Sequence, residues 1–163
     1  MGTAIRFRVD GVDIEIEEGR VGLSLLEVLR DHLGKRSVKD GCAPQGQCGC
    51  CTVWVDGAPR VSCVTPLRRV AGREVTTFDG LGEEVRDRWV AAFVDAGASQ
   101  CGFCTPGMVL TARALLDRNP HPSEAVIREA LGGNLCRCTG YQFIVDAVLL
   151  AAEKRAALAE GSA

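Results

Sequence analysis

Nine cysteines in a chain of 163 residues are the side chains most able to do chemistry. They form two groups, one from Cys42 to Cys63 and the other from Cys101 to Cys138. Clustered thiols can bind metal, form disulfides or pack as small apolar side chains. The count is odd, and residues 1–6 hold no apolar stretch of a secretory signal. Metal binding in a reducing compartment is therefore favoured over disulfides.

The first group resembles the ligand spacing of a plant-type iron–sulfur loop. Cys42, Cys48 and Cys51 lie in a glycine-rich stretch, and Cys63 follows on a predicted hairpin. Two irons bridged by two sulfides need four thiolates in one small volume, which such a loop and hairpin can supply. Five residues separate Cys42 from Cys48, one more than in the plant-type pattern, which indicates a loop insertion. Cys50, in the same loop, is predicted to be a buried thiol rather than a ligand.

The second group consists of Cys101 and Cys104, two residues apart, and Cys136 and Cys138, one residue apart. Cys104 directly precedes a predicted helix, whose N-terminal N–H groups and dipole favour thiolates and a negatively charged cluster. A single residue between Cys136 and Cys138 argues mildly against zinc, whose cysteine pairs are usually spaced more widely. Spacing alone leaves both an iron–sulfur cluster and zinc open for this group.

The first half of the chain must position the first group, and its pattern is that of strands around one helix. Ser24 and Glu27 form a capping box at the start of that helix, and Gly34 ends it. Alternation of apolar and polar residues with turn signals between them predicts a small β-grasp sheet. Strands are predicted at residues 5–9, 12–16, 52–55, 60–64 and 75–77.

Helical periodicity replaces alternation after Asp79. Thr105 is predicted to N-cap one helix with Pro106 at its first position, and Ser123 to cap the next. Helices are predicted at residues 85–94, 106 to about 118, 124–131 and 142 to about 157. The sequence therefore predicts an α+β protein, with a plant-type ferredoxin-like β-grasp domain over residues 1–79 and a four-helix bundle over residues 80–163.

Composition narrows the functional classes further. The net charge of −2 gives no electrostatic basis for binding nucleic acid. No apolar run is long enough to span a bilayer. With no secretory stretch among the first residues, we expect a cytoplasmic protein. No spacing typical of a nucleophile–base pair, a phosphate loop or a dinucleotide fingerprint is present, so we expect no catalytic residues on this chain.

Three segments resemble the iron–sulfur part of the xanthine oxidase family of molybdenum hydroxylases. They are Gly46-Gln47-Cys48-Gly49-Cys50-Cys51-Thr52-Val53, Gln100-Cys101-Gly102-Phe103-Cys104-Thr105-Pro106-Gly107-Met108 and Gly133-Asn134-Leu135-Cys136-Arg137-Cys138-Thr139-Gly140-Tyr141. The resemblance extends over roughly residues 4–153. It departs from the family at the extra loop residue and at Cys50, where a small residue is usual.

The resemblance implies two [2Fe–2S] clusters and a role as a non-catalytic subunit of a molybdenum-containing oxidoreductase. The first cluster would be held by Cys42, Cys48, Cys51 and Cys63, and the second by Cys101, Cys104, Cys136 and Cys138. Gln100 and Cys138 would lie beside the pterin of the molybdenum cofactor. The implied partners are a molybdopterin-binding large subunit and an FAD-binding medium subunit, in a heterotrimer or a dimer of heterotrimers. Electrons would pass from molybdenum through the second cluster and then the first to FAD.

Other roles and other functions remain open at this point. Asn134 and Tyr141 are expected to stabilise the turn around the last cysteines, and Arg137 either offsets cluster charge or faces solvent or a partner. The alternatives in function are a free-standing ferredoxin, a structural protein with two zinc sites, and a hydroxylase that lacks flavin and uses a cytochrome as acceptor. The substrate of the complex is not indicated.

Overall fold

The N-terminal half is a five-stranded mixed sheet. A computed structural model describes residues 4–17 and 22–160. The strands are β1 (Ile5–Val9), β2 (Val12–Ile16), β3 (Thr52–Val55), β4 (Ala58–Val61) and β5 (Glu74–Thr76), in the order β2-β1-β5-β3-β4. β1 and β5 run parallel and the other neighbours antiparallel. One face of the sheet buries Phe7, Val9, Val53 and Val75, as the alternation predicts.

The helix predicted after Ser24 is present but changes its winding after one turn. The capping box forms as expected, since the Ser24 side chain accepts from the Glu27 N–H and the Glu27 carboxylate accepts from the Ser24 N–H. α1 (Leu25–Glu27) then continues as a π-helical turn over Val28–His32. The wider turn places two neighbouring residues, Val28 and Leu29, in the core with no exposed surface.

The fourth strand ends earlier than predicted, so Cys63 does not lie on a strand. After Val61 the chain forms a 3₁₀ turn over Ser62–Val64. The Ser62 hydroxyl and N–H both donate to the Cys51 carbonyl, at 2.7 and 3.3 Å. These bonds draw the chain out of the sheet and bring Cys63 beside Cys51.

The C-terminal half contains the four expected helices. They are α2 (Glu83–Asp95), α3 (Thr105–Arg118), α4 (Glu124–Leu131) and α5 (Gln142–Glu160). Their shared core includes Trp89, Phe93, Leu110, Ile127 and Ile144. Ser123 caps α4 as predicted. The predicted N-cap of α3 was wrong by one residue, because Cys104 occupies the cap and Thr105 and Pro106 are its first helical residues.

The two halves pack directly against each other. The indole N–H of Trp54 on β3 donates to the Leu110 carbonyl of α3 at 2.9 Å. On the sheet side, Asp10 pairs with Lys35 at 2.6 Å and accepts from the Thr77 N–H and hydroxyl, which fixes the start of the connection. A 3₁₀ turn over Phe78–Gly80 then leads into the helices. Within residues 4–17 and 22–160, no helix is long and apolar enough to cross a membrane.

Candidate iron–sulfur sites

The structure brings the first four predicted ligands together at the end of the sheet. The extra loop residue does not displace Cys42, since the loop turns back on itself and the Gln45 N–H donates to the Cys42 carbonyl at 2.8 Å. The Cys42 sulfur accepts N–H groups from Gln47 and Cys48, at 3.3 and 3.2 Å. The loop thus surrounds this sulfur with donors that stabilise negative charge.

The second four predicted ligands also meet, where α3 begins and where α4 connects to α5. The Cys101 and Cys138 sulfurs lie 3.6 Å apart, and Cys136 lies near enough to Cys104 to add to the rise that burial causes in the pKa of that thiol. The Thr139 hydroxyl lies 3.2 Å from the Cys136 sulfur. Tyr141 fixes this turn as expected, because its phenol oxygen accepts from the Cys136 N–H and its hydroxyl donates to the Asn134 carbonyl.

Within each group the thiols lie close to one another. In the first group the Cys42 sulfur accepts from the Cys48 N–H at 3.2 Å, and Cys51 lies near enough to Cys63 to add to the rise that burial causes in its pKa. Cys48 also adjoins Cys50. The second group has the Cys101–Cys138 and Cys104–Cys136 pairs described above. Within the described ranges, no set of three or more histidine, cysteine or carboxylate side chains is arranged to hold a single metal ion.

The pairs fit the two irons of a [2Fe–2S] cluster, each of which takes two protein thiolates. Two sulfurs on one tetrahedral metal at about 2.3 Å would be separated by roughly 3.8 Å. The observed separation of 3.6 Å between the Cys101 and Cys138 sulfurs is close to that value. That separation fits two ligands of any one tetrahedral metal. Because the described residues hold no set of three or more ligands arranged for a single ion, a binuclear cluster fits the sites better than one tetrahedral zinc.

Acidity differs within the pairs of the metal-free chain. The Cys48 N–H lowers the pKa of Cys42, while burial raises the pKa of its partner Cys48. The Phe103 N–H lowers the pKa of Cys101, and the hydrogen bond with Cys101 raises the pKa of Cys138. One thiol in each of these pairs is thus prepared to ionise first, and metal binding must release the remaining protons.

Among the predicted ligands, burial has its largest effect on the pKa of two buried thiols. It raises the pKa of both Cys63 and Cys104 to about 12. For Cys136, burial opposes ionisation, but hydrogen bonds from Thr139 and the Cys138 N–H leave its pKa lowered overall. Buried thiolates of this kind are stable only when a metal cation takes the place of the proton.

One buried polar atom near the second site has no partner in the described part of the chain. It is the hydroxyl oxygen of Thr105, the residue that follows Cys104. Buried hydroxyls are nearly always hydrogen-bonded in folded proteins. The orphaned hydroxyl fits a site that is completed by a bound group with acceptor atoms, such as bridging sulfides.

The two sites differ in access to solvent. Cys51 and Cys63 are buried, whereas Cys101 and Cys138 of the second site are exposed. A cleft of about 320 Å³ opens beside the second site and is lined in part by Phe103, Leu135 and Arg137. Phe103 is 42% exposed and Leu135 is 52% exposed, so the rim of this site is an apolar surface.

Gln100 and Cys138, the two residues expected beside a pterin, are in contact. The Gln100 amide Nε2 donates to the Cys138 carbonyl at 3.0 Å, and both residues are exposed. The structure therefore brings the predicted pterin-contacting residues to one point on the surface of the second site. Arg137, between the two ligand cysteines, is exposed as well.

Cys50 is buried, as predicted for a thiol that is not a ligand. Its S–H donates to the Cys48 carbonyl at 3.7 Å, and it belongs to the helical core rather than to the sheet core. Burial raises the pKa of Cys50 to about 12, with smaller contributions from Cys48 and Cys104. This thiol stays neutral between the two sites.

Sequence reasoning missed how far Asn134 reaches. The residue was expected to stabilise its own turn, but its amide Nδ2 donates to the Gly49 carbonyl in the first cysteine loop, at 3.0 Å. Asn134 is only 4% exposed. The available signal was that Asn134 stands between two glycines and a cysteine motif, where the chain can pack closely. A polar side chain buried there needs partners for its hydrogen-bonding atoms, and those partners can lie far away in the sequence.

Comparisons with known proteins agree with this division into two sites. A family model described as a 2Fe-2S iron-sulfur cluster binding domain matches residues 7–74, and one described as a [2Fe-2S] binding domain matches residues 77–149. One of the nicotinate dehydrogenase subunits of Pseudomonas putida is 46% identical, over 95% of this chain and 98% of that protein.

Two further relatives cover most of the chain. The nicotinate dehydrogenase small FeS subunit of Eubacterium barkeri is 46% identical over 80% of this chain and 83% of its own length. The crystal structure of quinoline 2-oxidoreductase from Pseudomonas putida 86 contains a chain with a TM-score of 0.83 and 39% identity. That match covers 96% of this chain and 97% of the other.

Proposed function

Because the chain belongs to the iron–sulfur subunits of the xanthine oxidase family of molybdenum hydroxylases, we propose that it carries electrons from a molybdopterin site on one partner subunit to FAD on another. Two [2Fe–2S] clusters supply one-electron chemistry when bound. The chain itself contributes the ligands, the hydrogen bonds to sulfur and the surfaces that contact its partners.

The ligands in this proposal are the eight paired cysteines. Cys42 with Cys48 and Cys51 with Cys63 would each hold one iron of the first cluster. Cys101 with Cys138 and Cys104 with Cys136 would do the same for the second. The single observation that carries this assignment is the convergence of four cysteines at each of two sites, with the Cys101 and Cys138 sulfurs 3.6 Å apart, a separation that suits two ligands of one iron.

The different exposure of the two sites supports the proposed direction of transfer. Electrons would enter at the second site, where Cys101 and Cys138 reach the surface and Gln100 is bonded to the Cys138 carbonyl. The free amide oxygen of Gln100 can accept a hydrogen bond from the pterin. The exposed side chains of Phe103 and Leu135 suit burial against the molybdopterin-binding subunit. The more deeply buried first site would pass electrons on to FAD.

The partners proposed are a molybdopterin-binding large subunit and an FAD-binding medium subunit, in a heterotrimer or a dimer of heterotrimers. Substrate would be oxidised on the large subunit, so this chain has no catalytic residue of its own. Two relatives are named as subunits of nicotinate dehydrogenases, which makes nicotinate the first substrate to try.

The proposal is tested on the complex purified through an affinity tag on this chain. We expect larger chains with bound molybdenum and FAD to co-purify, and the visible absorbance of the clusters to bleach when a substrate is added without oxygen. The isolated chain should not bleach with any substrate. Co-purification of a cytochrome without FAD, or hydroxylation by the isolated chain, would overturn the proposed electron path.

A further inference from the structure

The two cysteine loops are joined through the side chain of Asn134. Its Nδ2 donates to the Gly49 carbonyl of the first loop, and its Oδ1 accepts from the Thr111 hydroxyl of α3, both at 3.0 Å. The amide is therefore bonded at both ends while 4% exposed. This orientation is preferred, because reversing the amide would set its oxygen against the Gly49 carbonyl oxygen, two acceptors with no donor between them. The Gly49 carbonyl also accepts from the N–H and hydroxyl of Thr52, at 3.1 and 2.7 Å.

The backbones around this amide touch. A Cβ at Gly107 of α3 would lie 2.5 Å from the Gly49 carbonyl oxygen, and one at Gly49 would collide with the Gly133 carbonyl oxygen. Gly49 also has a φ of +67°, a conformation that favours glycine. The first loop, the start of α3 and the segment before Cys136 thus meet at their backbones, with the Asn134 amide as the side chain that joins them.

This contact places a hydrogen bond directly between the two proposed clusters. The Leu135 N–H donates to the Cys48 carbonyl at 2.8 Å. Cys48 belongs to the first set of ligands, and Leu135 is followed by Cys136 of the second set. A bonded path therefore leads from one set to the other through one hydrogen bond and the backbone of Leu135.

We propose that Asn134 is a positioning residue for electron transfer between the clusters, which it serves by holding the Cys48 carbonyl against the Leu135 N–H. The inference rests on the proposed function, since it requires two clusters in this chain. Asn134 neither ligates iron nor touches substrate. It fixes the separation across which the electron must move, and Thr111 fixes the orientation of its amide.

The test uses the assembled complex in which this chain carries Asn134→Asp. The substitution keeps the shape of the side chain, but a carboxylate oxygen replaces the N–H donor that faces the Gly49 carbonyl. Asn119→Asp, at the end of α3, is the matched control. Rapid-freeze electron paramagnetic resonance after limited chemical reduction follows electron redistribution between the clusters without substrate. We expect that rate to fall several-fold, because the transfer rate declines steeply as the separation between the two sets of ligands grows.

Hydrogen exchange at the peptide that contains Leu135 gives a second measure. Loss of one buried hydrogen bond should accelerate this exchange by roughly 5- to 150-fold in Asn134→Asp. Asn119→Asp should leave both the exchange and the transfer rate unchanged. Normal transfer and normal exchange in Asn134→Asp, with both cluster signals present, would overturn the inference.

Thr111→Val keeps the inference falsifiable if Asn134→Asp fails to assemble a cluster. This variant removes only the hydroxyl that orients the amide, so both clusters should remain and transfer between them should slow. An unchanged rate in Thr111→Val would then overturn the positioning role. Failure of the proposed function is seen separately, in an unaltered complex that has no clusters or that no substrate reduces.

Discussion

The two cysteine sites use the same ligands on different scaffolds. In the first, a loop on the β-sheet encloses Cys51 and Cys63, and backbone N–H groups of the loop itself surround the Cys42 sulfur. In the second, the start of α3 and one turn present Cys101 and Cys138 at the surface. The enclosed site suits retention of an electron in a defined environment, and the open site suits exchange with a partner.

The two sites therefore differ in burial and not in the type of side chain that they gather. Both sites bring four cysteines together, and both contain one thiol whose pKa burial raises to about 12, Cys63 in the first and Cys104 in the second. The second site has an exposed apolar rim at Phe103 and Leu135, whereas the exposed apolar side chain beside the first site is Val64. An exposed apolar rim beside a redox site is a surface that a partner can cover without a large desolvation cost.

The largest expected effect is the loss of one site while the other is kept. Cys51→Ala removes one sulfur of a pair, so the first cluster should not assemble, whereas the second should still form. Cys50→Ala changes the neighbouring thiol, and both clusters should remain. Iron and acid-labile sulfide analysis with electron paramagnetic resonance compares the two variants. Equal loss of a cluster in both variants would show that the assignment of Cys50 is wrong.

The next largest effect is expected from a substitution at the contact between the two sites. Gly49→Ala introduces a Cβ that meets the Gly133 carbonyl oxygen, in addition to the strain of a positive φ. Gly97→Ala has the same kind of φ, +64°, but open space around the new Cβ. We expect Gly49→Ala to lower the free energy of unfolding by about 1–3 kcal/mol more than Gly97→Ala does. Thermal unfolding measures the difference, and equal losses would contradict the close packing.

A smaller effect is expected where the sheet packs on the helices. Trp54→Phe removes the N–H that donates to the Leu110 carbonyl, which should cost about 1 kcal/mol. Trp89→Phe serves as the control, since it alters the helical core without touching the contact between the halves. Chemical denaturation with separate probes for the two halves should show weaker coupling between them in Trp54→Phe alone. Identical unfolding of Trp54→Phe and the unaltered protein would argue against this link.

The smallest effect is expected at Cys50 in the assembled protein. Because its folded-state pKa is raised from 9.0 to about 12, its thiolate fraction at pH 8 is about 10⁻⁴. Iodoacetamide should therefore leave Cys50 unmodified at pH 8, and the rate should rise roughly tenfold for each pH unit above that. Mass spectrometry of the Cys50 peptide, with Cys50→Ser as the blank, gives the rate. Rapid alkylation at pH 8 with both clusters intact would contradict the burial of this thiol.

Much of the fold could be predicted because local rules and tertiary packing agree. Period-two alternation located β1 and β2, the turn at Asp56-Gly57 located the hairpin of β3 and β4, and the capping serines located α1 and α4. The misplaced features depend on contacts between distant residues. The fourth strand ended early because Ser62 bonds to the Cys51 carbonyl, and no local pattern at Ser62 reveals that partner.

The candidate sites could also be predicted where a local sequence pattern was enough, and not where contacts between distant residues decide the structure. Cysteine spacing identified the eight residues that the structure brings together, and the family resemblance placed Gln100 next to Cys138. The path between the sites could not be predicted, because it joins Asn134 and Leu135 to a loop that is far away in the sequence. The domain boundary at residues 79 and 80 and the ligand roles of the individual cysteines stay predictions.

The central claim is that two separate sets of four thiolates each hold a [2Fe–2S] cluster. Electron paramagnetic resonance of the reduced complex, calibrated by iron and sulfide content, tests it most directly. We predict two distinct spin-half signals, with two irons and two sulfides per cluster, and a change in only one signal in Cys138→Ser. A single signal, zinc without sulfide, or cysteines linked as disulfides would contradict the account.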